Sequence, residues 1–93
     1  MNQSTITNNH PITPSWEYHI VSERHTHPDM GVYRSYGIHV FEVAGVHIRP
    51  VATIHDITTK EDDAHTFVAM CNRYQLSPIH LQDFAQDFIQ AHL

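Results

Sequence analysis

From Trp16 the chain alternates. Trp16, Tyr18 and Ile20 fall on one side, Glu17, His19 and Val21 on the other. A period of two over WEYHIVSE (16–23) predicts a half-buried β-strand. The alternation stops in RHTHPDMGV (24–32), where Pro28 and Gly31 predict a loop. YRSYGIHVFEV (33–43), rich in β-branched and aromatic residues, predicts a second strand. Ala44-Gly45 then reads as a two-residue turn, with the glycine supplying a positive φ. VHIRPVATIHDI (46–57) returns as the third strand. Counting outward from that turn pairs Val43 with Val46, Phe41 with Ile48 and His39 with Pro50 on one surface. The opposite surface pairs Glu42 with His47, Val40 with Arg49, Ile38 with Val51 and Tyr36 with Thr53. Pro50 has no N–H to give a ladder, which puts the third strand at a sheet edge, as a meander in the order 1-2-3 does. Gly37, inside the second strand, marks a bulge or close side-chain packing.

The period then changes. In ITTKEDDAHTFVAMCNRYQ, Thr58 with Glu61 or Thr59 with Asp62 makes a capping-box-like start, and Glu61, Asp62 and Asp63 complement a helix N-terminus. Ala64, Phe67, Val68, Cys71 and Tyr74 follow at helical spacing as the buried stripe. Cys71 in that stripe reads as a small core residue, not a nucleophile. LSPIHLQDFAQDFIQAHL gives a second helix, with Ser77 as N-cap and Pro78 at the first helical position, where a missing N–H costs nothing. Its apolar face is Leu81, Phe84, Ala85, Phe88 and Ile89. The prediction is an α+β domain over residues 15–93, a three-stranded antiparallel meander followed by two C-terminal α-helices, with residues 1–14 a polar, aperiodic tail.

This arrangement leaves a surplus. Both sheet faces carry apolar side chains, yet two C-terminal helices most simply cover one. The Tyr36/Ile38/Val40/Val51 surface, or its opposite, is then expected to stay exposed. Exposed apolar patches of that kind mark protein interfaces, so homodimerisation through the sheet is expected.

Composition narrows the function classes. Ten Asp/Glu against five Lys/Arg, the latter scattered with no two adjacent in sequence, give a net charge of −5. No basic stripe is present to displace phosphate counterions, which disfavours nucleic acid and anionic membrane as partners. A single cysteine forms no internal disulfide. The polar start MNQSTITNNHPITPS lacks the h-region of a signal peptide, and no apolar run approaches a membrane span, so a soluble cytoplasmic protein is expected. Ten histidines would carry the formal charge from −5 to +5 on full protonation, a strong response to pH.

SYGI (35–38), IHDITT (54–59) and LSPIHLQDFAQDFI (76–89) resemble the landmarks of a domain-of-unknown-function family of small proteins from anaerobic Gram-positive bacteria. The resemblance covers about residues 33 to 90, and its last motif is the most specific. It implies a small α+β protein and transfers no catalytic residue, cofactor or partner. His25 and His27 lie outside the shared motifs.

Three constellations carry possible chemistry. His25-x-His27 places both imidazoles on one side if the segment is extended, a metal-ligand geometry that needs a further ligand such as His10 or Asp29. A cupin-like site would need a Glu a few residues on, and none follows until Glu42. His80, Asp83 and Asp87 lie near one edge of the last helix, where His80 and Asp83 at i,i+3 can pair. They serve to bind a cation or contact a partner, or else form a solvated helix edge. His55 and Asp56, adjacent on a strand, point to opposite faces and form no dyad; Asp56 is expected to cap the chain reversal as an Asx-type turn. No nucleophile elbow, phosphate loop or close carboxylate pair appears, and an enzyme would have to assemble distant residues such as His39 and His55. The sequence therefore predicts a non-catalytic interaction or regulatory module, without cofactor, acting as a homodimer and allowing an unidentified protein partner. Its contact residues would be Tyr36, Ile38, Val40, Val51, His80, Asp83 and Asp87. The alternative is a metal- or pH-responsive binding protein that uses its histidines, His25 and His27 above all.

Overall fold

The computed structural model describes residues 13–91. Three antiparallel strands, β1 (Ser15–His27), β2 (Gly31–Ala44) and β3 (His47–Thr58), form a sheet in the order β1-β2-β3. Two helices follow, α1 (Glu61–Tyr74) and α2 (Leu81–Ala91), the second entered through a 3₁₀ turn over Pro78–His80. The expected α+β meander with two C-terminal helices is the observed fold. Most of the expected tail lies outside the described residues.

The first two strands are longer than the apolar alternation indicates. RHTH, expected in a loop, continues β1, and the reversal is confined to Pro28, Asp29 and Met30. Gly31 closes it at φ +75°, a conformation glycine reaches without steric cost. β1 and β2 pair without a break from Ser15 opposite Val43 to His27 opposite Gly31. The third strand pairs only with the Tyr36–Ala44 part of β2. Residues 23–35 therefore project as a two-stranded arm beyond the three-stranded sheet.

The second reversal falls on Gly45-Val46, with Gly45 at φ +62°. Ala44 is then opposite His47, Val43 opposite Ile48 and Phe41 opposite Pro50, two residues away from the expected register. A slip of two preserves the faces. A slip of one does not, and one follows: the register shifts between Phe41/Pro50 and Val40/Ala52, leaving Val51 as an extra residue. This bulge turns Ala52 and Ile54, not Val51 and Thr53, onto the face of Val40 and Ile38. A second irregularity puts three residues, His55 to Ile57, opposite Gly37 alone. A Cβ on Gly37 would overlap the carbonyl oxygen of Ile54 and meet the His55 Cα at 3.0 Å, so glycine is needed for close passage of the backbone. Asp56 absorbs the bend at φ +58°.

Both helices lie on one sheet face. Tyr18, Ile38, Val40 and Ile57 from the sheet pack with Phe67 and Cys71 of α1 and Leu81, Ala85 and Phe88 of α2. Phe67 is the hub, 5.3 Å from the Phe84 ring and edge-on to Phe88 at 5.0 Å. The start of α1 differs from expectation. Thr58 ends β3, its hydroxyl accepts the Lys60 N–H at 3.1 Å, and Lys60 is an N-cap without a side-chain bond. Tyr74 leaves the stripe at the last turn: it is 66% exposed, under the Arg73 guanidinium at 5.5 Å.

Candidate interaction surface

Ile38 and Val40 are 1% and 0% exposed, so the expected surface that contains them is the covered one. They are core residues and not part of an exposed patch. Tyr36 and Val51 beside them are half-buried. The opposite face is the open one, and no described helix crosses it. Phe41 is its centre, flanked by the edges of the His19 ring at 5.4 Å and the His39 ring at 6.3 Å. Val21 and Ile48 complete a shallow depression of about 400 Å³, rimmed by Glu17. Ile48 is 62% exposed. Alternation along β1 and β2 produces this face directly, since one set of odd-numbered residues turns away from the helices.

Toward the arm the same face becomes polar. Glu23 accepts a hydrogen bond from His55 Nδ1 at 2.5 Å and lies 3.8 Å from His25 Nε2. His25 Nε2 is also 2.6 Å from the Ser35 hydroxyl, and its ring stacks on Tyr33 at 5.0 Å. Closed over in this way, Ser35 is fully buried. Because Glu23 approaches the same nitrogen that meets Ser35, it does not orient the ring from the far side as the acid of a hydrolytic triad does. The arrangement is a hydrogen-bonded patch that stiffens the arm.

His25 and His27 do share one face of an extended strand, as metal ligation would require. However, His27 Nδ1 accepts the Asp29 N–H at 3.1 Å, while His25 is held by Ser35. No group of three His, Cys, Asp or Glu side chains among the described residues is arranged to hold a metal ion. His10 lies outside the described residues. His80, Asp83 and Asp87 are all exposed, and no ion pair among the described residues joins His80 to Asp83. His39 and His55 have separate partners, Phe41 and Glu23. Among the described residues the Asp56 side chain makes no hydrogen bond that would cap the reversal.

Two adjoining clefts of about 400 and 560 Å³ lie where the end of β3 meets α2. Asp56 and Ile57 line both, with Asp63 and Lys60 in one and His55 in the other. Burial raises the Cys71 thiol from 9.0 to about 12, so the side chain is a protonated core group at neutral pH. The Tyr18 phenol is raised from 10.0 to about 12, first by burial and second by Cys71. Its hydroxyl donates to the Leu76 carbonyl.

Sequence reading does not find the contacts between α1 and the outer edge of β1. The Asn72 amide accepts the Tyr18 N–H at 2.9 Å and donates to the Tyr18 carbonyl at 3.0 Å. Gln75 does the same for Trp16, at 2.9 and 3.0 Å. These partners are 54 and 59 residues apart, and nothing local signals them.

A family model described as a family of unknown function (DUF6514) matches residues 1–91, the hairpin arm included. No curated protein and no solved structure matches the chain. No helix among the described residues is long and apolar enough to cross a membrane.

Proposed function

The chain belongs to the family of unknown function DUF6514, and for this member we propose a non-catalytic interaction module that dimerises through the open face of its sheet. The observation that carries this reading is the uncovered Phe41 cluster, with Val21 and Ile48 beside it, on a sheet whose other face is filled by both helices. Charge favours a second copy as the occupant. The helices present Glu61, Asp62, Asp63, Asp83 and Asp87 to solvent or near it, so two chains of net charge −5 repel there. Among the described residues the acids on the open face are Glu17 and Glu23, each beside an imidazole, His19 at 3.2 Å and His55 at 2.5 Å. It is the surface on which two copies meet with least repulsion. Sedimentation equilibrium tests this: a concentration-dependent dimer is expected, and Phe41→Glu should give a monomer that keeps its helical circular dichroism. A wild-type monomer at the highest soluble concentration removes the reading.

One observation favours a second reading, a histidine-dependent response. His19, His25, His39 and His55 share this face, in reach of the same contact. A dimer that responds through them should change its dissociation constant with pH, and the His19→Gln/His39→Gln double variant should change less. For the metal version, zinc titration should show binding tighter than micromolar that is lost in His25→Ala and His27→Ala. Weak affinity unchanged by those substitutions counts against it.

A further inference from the structure

The hairpin arm has an unused edge. Because the β1–β2 register is unbroken, backbone groups alternate along all of β1. Odd residues bond to β2, and even residues direct N–H and C=O outward. At Trp16 and Tyr18 the outward groups are occupied by the Gln75 and Asn72 amides. At Ile20, Ser22, Arg24 and Thr26 they have no protein partner among the described residues. The edge is therefore closed for two residues and open for the next four.

Arg24 and Arg34 stand directly opposite each other on the arm, both exposed. Like charges in that position are destabilising. No carboxylate pairs with either among the described residues. Among the described residues their one polar side-chain contact is Arg34 Nη1 to the Ser22 hydroxyl at 3.5 Å. In a chain with five cationic and ten acidic side chains, two uncompensated guanidiniums have been brought together next to the open edge. Edge and charge point to one ligand.

We propose that the β1 edge from Ile20 to Thr26 receives an extended peptide segment bearing a carboxylate side chain. The segment adds as a further strand, with main-chain bonds to the outward groups of β1 and its acidic side chain on the Arg24/Arg34 face. Alternation of side chains across the new strand sets that direction. A polyanion without a strand-forming backbone, such as nucleic acid, would leave the edge groups unused and meet a chain of net charge −5. The edge is distinct from the Phe41 face, so peptide binding and dimerisation stand or fall separately.

The test is a fluorescence-anisotropy titration with a short labelled peptide alternating valine and glutamate, followed by amide hydrogen exchange. Binding should slow exchange at Ile20, Ser22, Arg24 and Thr26, with little change at Val21, Glu23 and His25, which already sit in the β1–β2 ladder. The Arg24→Ala/Arg34→Ala double variant should weaken binding about tenfold or more, the scale of a lost hydrogen bond to a charged group. Ser22→Pro removes an outward N–H that β2 does not use and should weaken binding as well. Should Ser22→Pro fail to fold, a probe N-methylated at alternate residues removes the same bonds from the other side. Equal affinity for the methylated probe, or for an oligonucleotide of the same charge, would overturn the proposal. So would slow exchange at the four outward amides without any probe, because a second copy would then already fill the edge.

Discussion

The two halves of β1 are one strand in one register, yet they live in different surroundings. Around Trp16 and Tyr18 the inner face is packed under α1, and the outer edge is tied to Asn72 and Gln75. From Glu23 to His27 no helix covers the strand, no third strand backs its partner, and its outer edge is open. The lesson is that strand continuity and strand stability are separate properties. The first half inherits its rigidity from the core. The second is a bare hairpin, marginal by itself, pinned by the Glu23, His25, Ser35 and His55 patch.

Substitutions should separate these halves sharply. The largest effect is expected at the hub: Phe67→Ala should cost about 3–5 kcal/mol in urea denaturation. A cost near that of a surface substitution would mean the helices do not govern the covered half. Next comes the edge. Asn72→Ala leaves the Tyr18 N–H and carbonyl without partners in a part-buried place and should cost about 1–3 kcal/mol.

Alkaline pH should act through Cys71 and Tyr18 in the covered half. Cys71 and Tyr18 keep their protons to about pH 12 when folded, while the unfolded chain releases them from about 9.0 and 10.0. Their contribution to stability is thus full below pH 9 and is lost as pH rises through 12. The urea midpoint should fall over that window, less steeply in Tyr18→Phe and unchanged in slope by an arm substitution such as Thr26→Ala. Smallest is the tip: Met30→Ala, at a side chain 62% exposed, should stay within about 0.5 kcal/mol of wild type. A larger loss there would show the arm to be packed against something, and would sharpen the comparison most.

Legibility followed burial. The three strands, both helices and the core stripe of Ala64, Phe67 and Cys71 are written in apolar periodicity, because those residues are sorted between core and solvent. Pro50 announced an edge strand through its missing N–H. Gly37 announced an irregularity, a bulge or tight side-chain packing; the SYGI and IHDITT segments do meet there, but it is the backbone of Ile54 and His55 that passes over the glycine. RHTH was unreadable as strand because the arm buries little on either face, and without burial there is no alternation to read. The register was missed at the turn by the choice between Ala44-Gly45 and Gly45-Val46. It was missed again at Val51, because a bulge leaves no mark in hydrophobicity. The open face could be anticipated as one of two; which one depended on that bulge and on helix placement. The arginine pair was hidden because Arg24 and Arg34 look scattered until the hairpin folds them together.

The amide caps on β1 also set a length, as a vernier does. Moving from Asn72 to Gln75 along α1 advances about 4.5 Å, three residues at the helical rise. Moving from Tyr18 to Trp16 along the strand advances about 6.8 Å, two residues at the strand rise. The scales disagree by about 2 Å at each step, and the extra methylene of glutamine over asparagine takes up one such step. The step toward Ile20 runs the other way, three residues back along α1 from Asn72 to Ala69, which has no amide to offer. The open stretch therefore begins at Ile20, where the helix position next in the series carries only a methyl group.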